Sequence, residues 1–296
     1  MCFRGKAFQL VSSAGNDRSV TVAMHIGLER NLPMLDNLVG SFEACVEHDA
    51  PLELVLVDSS GSDSIYNWID CYSCKRRDVS VKKLRPKFPD GTHMSTAYMQ
   101  SLMLAIAEAS GRYFALLAED NQFVVRGKLL SSYIDAIEAV PDSKAIVHLM
   151  GQQQYKYSKA NNSFMPPKIV GSSSMFELET TKWCPFALCR RDAYIQFGEV
   201  PISDAASPHA TIEHLSSCAR ELGYTRFYPQ VPHGAWLPNE FGRMASQKID
   251  TLAAGELLIK SIGLDEAEWS ASTCYMHDDL LRPMSAEDFM KMGGLL

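Results

Sequence analysis

The 296-residue chain lacks any stretch of 18 or more apolar residues, so no transmembrane helix is expected. Its N-terminal MCFRGKAFQL lacks a signal-peptide core: the apolar run is short and is broken by Arg4 and Lys6. The expected location is the cytoplasm, including the periphery of the inner membrane face. No G-x-G-x-x-G follows the first strand-like run, which argues against a nicotinamide-binding domain. Cys71 and Cys74 form a C-x-x-C, but no second pair stands at zinc-finger spacing and no strand leads directly into the motif. The eight cysteines are expected to be mostly reduced. An excess of positive charge is also missing. The net charge is -7, whereas binding to a nucleic-acid backbone needs clustered Lys and Arg, so no nucleic-acid partner is expected. The one basic run, Lys75-Arg76-Arg77 with Lys82-Lys83 and Arg85, reads as a solvated helix end and loop, or as a surface that attracts an anion. Repeats and low-complexity tracts are absent.

What is present is apolar periodicity. Hydrophobic residues make up 46% of the chain, enough for a full core in one large domain with or without an appendage. Val20 to Ile26, Leu52 to Val57, Val79 to Leu84 and Tyr113 to Ala118 read as strands. Helical spacing marks residues 33–48, Ile65 to Cys74 and Met94 to Ser110, the last stopped by Gly111. This β-α-β-α-β-α-β order predicts an α/β fold, a mostly parallel sheet with helices on both faces. Ligands of such sheets bind at the carboxyl ends of the strands. Two polar clusters fall there, Asp58-Ser59-Ser60 and Glu119-Asp120-Asn121. Further on, Ala145 to Leu149 reads as a strand, Gln152 to Ser174 as a long loop or lid, Ile212 to Leu222 as a helix and Arg226 to His233 as a short strand. The expected division is an irregular arm over 1–18, a main domain over 19–245 with halves 19–121 and 122–245, and a helical appendage over 246–296.

Four segments, in order, resemble the GT-A glycosyltransferases of the large family 2 type, which includes bacterial polysaccharide and spore-coat transferases. They are Val22 to Arg30, LVLVDSSGSD (54–63), AEASGRYFALLAEDN (107–121) and Phe186 to Val200. The resemblance spans roughly residues 20–235. It implies a Rossmann-like nucleotide-diphospho-sugar fold and transfer of a sugar from a nucleotide diphosphate, UDP favoured, to a glycan, lipid-linked or small-molecule hydroxyl. It also implies inversion at the anomeric carbon and a role in glycan or polysaccharide biosynthesis. By the same resemblance Asp120 stands at the last acid of the D-x-D motif and would hold a divalent cation, Mn2+ or Mg2+, with Glu119 beside it on ribose or a metal-bound water. Asp58 and Ser59, with the main chain of Ile26, Gly27 and Leu28, would meet the base. His233 is a further candidate metal ligand. Ala118 departs from the first acid of D-x-D, Ser59 from the second acid of V-D-D, and no aromatic stands at 26–28.

The chemistry supports those types of residue independently. Hard cations take oxygen ligands and stabilise negative charge on a departing diphosphate. A carboxylate is an acceptor for a base N–H. The acceptor hydroxyl needs a general base; the resemblance implies one at the start of the helix after the acceptor-side loop, for which Glu213 and then Asp204 are the candidates, with His209 and His214 nearby. Trp183 and Trp236, ahead of Phe186 and Tyr155, are candidates to stack on acceptor sugar rings. Residues 246–296 are expected to serve a homo-oligomer or larger complex. Two alternatives stay open: a non-catalytic module of the same fold, and a sugar nucleotidyltransferase.

Overall fold

The computed structural model describes residues 17–27, 32–76, 78–89, 92, 94–119, 121–123, 127–148, 166–177, 187–199, 208–230 and 233–236. Its framework is a nine-stranded sheet in the order β3-β2-β1-β4-β9-β6-β10-β8-β7. The first half is β1 (Val20–Ile26), α1 (Leu32–Cys45), β2 (Leu52–Asp58), α2 (Asp63–Lys75), β3 (Ser80–Leu84), α3 (Met94–Glu108) and β4 (Tyr113–Ala118), the alternation expected from the apolar runs. The second half is β5 (Asn121–Phe123), α4 (Leu129–Glu138), β6 (Ala145–His148), β7 (Lys168–Val170), β8 (Ser173–Glu177), β9 (Ala187–Arg190), α5 (Arg191–Glu199), α6 (Pro208–Glu221), β10 (Thr225–Pro229) and β11 (Gly234–Trp236). Only β8 and β9 oppose the common strand direction; β5 and β11 form a separate antiparallel ribbon.

Alternation along the central strands builds a core on each face. Val20, Val22, Met24 and Ile26 of β1, with Leu54, Leu56, Tyr113, Ala115 and Leu117, pack on the side of α1, α2 and α4. Ala23, Val55, Val57, Phe114 and Leu116 pack on the side of α3, α5 and α6. Each Val, Leu, Ile, Phe or Met among them, fully buried, contributes about 1.5–3 kcal/mol relative to exposure. Strands covered on both faces must be apolar throughout, which is why VTVAMHI and YFALLA contain almost no polar residues. In α2, Ser62 caps the N-terminus by accepting from the Ser64 N–H at 3.1 Å, Asp63 lies in the first turn and Lys75 in the last.

The register of β1 is fixed at its amino end. Thr21 and Glu53 are cross-strand partners, and Thr21 Oγ1 donates to Glu53 Oε2 at 2.7 Å. The buried Glu53 also accepts from Ser110 N at 2.8 Å and pairs with Lys82 at 2.9 Å. Gly111 N–H donates to Thr21 Oγ1 at 2.9 Å; a Cβ on Gly111 would stand 2.5 Å from Thr21 N, so no other residue fits without displacing a strand.

The structure corrects parts of the sequence reading. Residues 168–174, expected within a long loop, form with 175–177 the β7–β8 hairpin at the sheet edge; 152–165 lie outside the described residues. The helix expected from Ile212 begins at Pro208. Arg18, placed in the arm, is tied to the domain through Asp135 at 2.8 Å and Ser131 O at 2.5 Å. In the basic run, Arg76 pairs with Glu43 and Asp78, Lys83 with Asp70, and Arg85 with Asp63 and Asp58, so these cations are largely neutralised within the chain. No helix among the described residues is long and apolar enough to cross a membrane.

Candidate functional site

The polar clusters meet at the carboxyl ends of the parallel strands, as the alternation requires. Ile26 at the end of β1 faces Asp58 at the end of β2, and His25 faces Ala118 at the end of β4. The Asp58 and Ala118 ends flank β1 on opposite sides, two strand spacings or about 10 Å apart.

Asp58 is fully buried. Its Oδ1 accepts from the Ser60 N–H at 2.9 Å and from the Ser60 hydroxyl. Its Oδ2 has no hydrogen bond within the chain and faces Arg85 Nε at 3.4 Å. A buried carboxylate oxygen without a hydrogen bond costs free energy, which here the Arg85 guanidinium offsets. Arg85, just past β3, is held by Gly61 O at 2.6 Å and Asp63 at 2.9 Å, with its guanidinium 4.8 Å from the centre of the Tyr66 ring. A cleft of about 510 Å3 opens here, lined by the 59–61 turn, Asp63, Arg85, Pro86, Lys87 and Phe88. It offers flat apolar walls, two cations and main-chain groups.

The Ile26 carbonyl, expected to meet a base, is already engaged. It accepts from the Ser59 N–H at 3.0 Å and from the Ser59 hydroxyl at 3.3 Å. Gly27 is the next main-chain unit toward the crevice, and Leu28 lies outside the described residues. Beneath Gly27 sits His25, which sequence reasoning passed over. Its Nε2 is 2.7 Å from Ser59 Oγ, and its ring meets Tyr98 edge-on at 5.0 Å. Burial pushes its pKa down to about 4, so the ring is neutral near pH 7.

After β4 the chain turns sharply. Asn121, fully buried, accepts the Ala118 N–H through its side-chain oxygen at 3.2 Å and closes the turn that carries Glu119. Asp120 itself lies outside the described residues. Among the described residues no group of three or more His, Cys, Asp or Glu is placed to hold a metal ion.

His233 is held elsewhere. Its Nδ1 is 2.7 Å from the hydroxyl of the buried Tyr133, and the two rings stack at 5.7 Å. Burial lowers its pKa to about 4. In the β5–β11 ribbon Trp236 faces Asn121 and Gly234 faces Phe123, so His233 lies three residues, about 10 Å, beyond the position opposite Asn121. That arrangement ties α4 to β11 through Nδ1, and a metal-ligand role for His233 would use Nε2. Trp236 has its backbone beside the Glu119 turn. Glu213 falls in the second turn of α6, since the helix begins earlier than expected. Asp204, His209's side chain, Trp183, Phe186 and Tyr155 fall outside what is described.

No family model matches the chain, and no curated protein matches it. Solved structures do. GalNAc-T7 with UDP, GalNAc and Mn2+ aligns over 93% of this chain and 56% of its own, at 13% identity and a TM-score of 0.53. S. aureus TarS 1-349 with UDP aligns over 86% and 69%, at 11% identity and 0.52. The same fragment with UDP-GlcNAc aligns over 86% and 70%, at 13% identity and 0.51. This chain therefore spans little more than half the length of GalNAc-T7. Likeness at these identities establishes the fold: the chain has the GT-A fold.

Proposed function

We propose that this chain transfers a sugar from a uridine diphosphate donor to an acceptor hydroxyl, with inversion and with help from a divalent cation. The observation that carries the reading is the buried Asp58 next to the residues that line the cleft: its Oδ2 accepts no hydrogen bond within the chain and is balanced by Arg85 Nε at 3.4 Å. Because Oδ1 is saturated by Ser60, one acceptor remains. One acceptor suits uracil, whose N3–H is a lone donor between two carbonyls. Guanine presents N1–H and N2–H2 side by side and needs two acceptors. Cytosine presents an acceptor at N3 and would oppose the carboxylate. The solved neighbours with UDP and UDP-GlcNAc are in keeping with this choice.

In this reading Gly27, Ser59 and Asp58 hold the base, and Arg85 balances Asp58 while flanking the cleft. Asp120, with Glu119 beside it, would hold the cation, which when bound neutralises charge developing on the departing diphosphate. The acceptor oxygen attacks the anomeric carbon in line with the leaving group, so that one C–O bond forms as the other breaks. Its proton passes to a carboxylate, for which Glu213 and then Asp204 are the candidates. Trp183 and Trp236 are the candidates to present the acceptor, a glycan, lipid-linked or small-molecule hydroxyl. The family 2 subclass and a place in polysaccharide assembly belong to the same proposal.

Thermal-shift titration with UDP, GDP, CDP and ADP, each with and without Mn2+, tests it. The expected result is the largest shift for UDP, an increment with Mn2+, and loss of that increment alone in Asp120→Asn. A chain that no nucleoside diphosphate stabilises would overturn the reading. Release of free sugar from UDP-sugars then separates an enzyme from a non-catalytic module of the same fold.

A further inference from the structure

At the end of β1, where the chain leaves the sheet for the nucleotide cleft, stands a buried histidine with specific partners on two other elements. His25 is 7% exposed. Its Nε2 lies 2.7 Å from Ser59 Oγ at the end of β2, and its ring meets the Tyr98 ring of α3 at 5.0 Å and 89°. The register allows this meeting, since His25 faces Val57 on β2 and Ala118 on β4. A Cβ on Gly27 would lie 3.5 Å from His25 Cε1 and 3.8 Å from Ser59 Oγ. The imidazole and the serine hydroxyl are thus the floor directly beneath the Gly27 main chain.

We propose that His25 is a positioning residue for nucleotide recognition: through Ser59 it fixes the two strand ends that present Gly27 and Asp58 Oδ2, which Arg85 balances, to the base. This rests on the nucleotide reading of the cleft. The Ser59 hydroxyl donates to Ile26 O at 3.3 Å, which leaves its oxygen to accept from His25 Nε2–H. One imidazole therefore orders a chain of bonds running Nε2–H to Oγ, then Oγ–H to the Ile26 carbonyl. Ser59 N–H reaches the same carbonyl at 3.0 Å, so the crossing from β1 to β2 is pinned twice by one residue. The next residue, Ser60, carries both donors that hold Asp58 Oδ1. Loosening Ser59 moves Ser60, and moving Ser60 frees Asp58 to rotate its second oxygen away from the base. The fall of the imidazole pKa to about 4 is consistent with a ring that serves as a neutral donor through the physiological range. Tyr98 sets the ring plane, and so the direction of Nε2.

Calorimetric titration of UMP and UDP into the full chain at pH 7 tests the assignment. His25→Phe keeps a ring against Tyr98 but removes the donor; loss of one hydrogen bond predicts about five- to ten-fold weaker binding. The loss should be equal for UMP and UDP, because the phosphates are not involved. His25→Gln, whose amide nitrogen reaches the Nε2 position, should restore affinity to within about two-fold. Ser59→Ala should cost as much as His25→Phe, and the double variant no more than either alone, as required of two residues acting through one bond. Binding by His25→Phe within about two-fold of the wild type would overturn the proposal, as would a Gln variant as weak as Phe or additive losses. Should His25→Phe fail to fold, unaltered UMP affinity in Ser59→Ala would overturn it by itself. A wild-type chain that binds neither UDP nor GDP fails differently, sinking the nucleotide reading first and this role with it.

Discussion

If the cleft reads a base as proposed, Asp58→Asn is the sharpest test of it. The substitution keeps the shape of the side chain, and its consequences follow from the unequal surroundings of the two oxygens. Oδ1 accepts both Ser60 donors, so the amide oxygen takes that place. The amide NH2 then stands where Oδ2 stood, facing Arg85 Nε at 3.4 Å. A lone acceptor has become a donor. Uracil N3–H loses a charge-assisted hydrogen bond worth about 1.5–3 kcal/mol, which corresponds to UDP binding weaker by about 10- to 150-fold. Cytosine N3 is an acceptor and gains a partner, so CDP should bind about as well as, or better than, it does to the wild type. The ratio of UDP to CDP affinity should therefore fall by more than UDP affinity alone. The fold should survive, because Arg85 keeps Asp63 at 2.9 Å and Gly61 O at 2.6 Å. Calorimetric titration of both nucleotides, with a melting curve for each variant, measures all of this. An equal fall for UDP and CDP would show that Asp58 acts only on the shape of the loop. UDP affinity within about two-fold of the wild type would refute the assignment of Oδ2 to the base.

Other consequences can be measured separately. Gly111→Ala should destabilise by about 1–3 kcal/mol in urea, because the new methyl falls 2.5 Å from Thr21 N; an unchanged midpoint would mean that the strand yields freely. Glu53→Gln should cost on the order of 1–3 kcal/mol at pH 7. Although burial raises the Glu53 pKa, bonds to Lys82, Ser110 and Thr21 outweigh it and leave the pKa lowered. Its contribution is thus present above the unfolded carboxyl range and lost as pH falls through the lowered folded value, so the gap between wild type and Gln should close in acid. His25 and His233, each pushed by burial from 6.5 to about 4, act over a different window. The unfolded chain takes up these protons before the folded one, so stability should decline between pH 6.5 and 4 and His25→Gln should flatten the decline. Tyr133→Phe removes the bond to His233 Nδ1 and should lower stability by about 1 kcal/mol, with a melting temperature equal to wild type counting against this tie.

The parts legible in the sequence were those where a single physical requirement dominated. β1 and β4 are covered on both faces, so their apolar runs, Val20–Ile26 and Tyr113–Ala118, marked their own limits. β7 and β8 lie at the sheet edge with half their residues open, so KIV and SSMFE carry no such run and merged with the polar stretch before them. α4 has the helical spacing of Leu130, Tyr133, Ile134 and Ile137, but it starts at Lys128 with no side-chain cap, so nothing announced it. The start of α6 was read four residues late, at Ile212, although Pro208 is a residue suited to a first helical turn. The place of Asp58 and Glu119 at the carboxyl ends of β2 and β4 was legible because each follows directly on an apolar run. His25 and Arg85 were not. One stands within a strand run and the other within a basic run, and each acquires its role from a partner brought in by parallel pairing, Ser59 and Asp58 respectively.

Parallel pairing makes the two ends of β1 interdependent. A slip of one residue between β1 and β2 would exchange the faces of every side chain on β1 and take Ile26 away from Asp58. The lock against that slip is at the other end, where Thr21 and Glu53 pair and Gly111 closes against the backbone. The ligand end, by contrast, holds a buried carboxylate oxygen without a hydrogen bond and a neutral buried imidazole, both unfavourable without compensation. The fold can tolerate them because the register is set about five residues away by groups that touch no ligand. It follows that stability and recognition should separate on mutation. Changes at Glu53 should move the melting temperature and leave the nucleotide affinity of the folded chain untouched, whereas His25→Phe should weaken nucleotide binding at pH 7 more than it lowers the melting temperature. Parallel losses of stability and affinity across both ends would mean that the strand ends are not independently held.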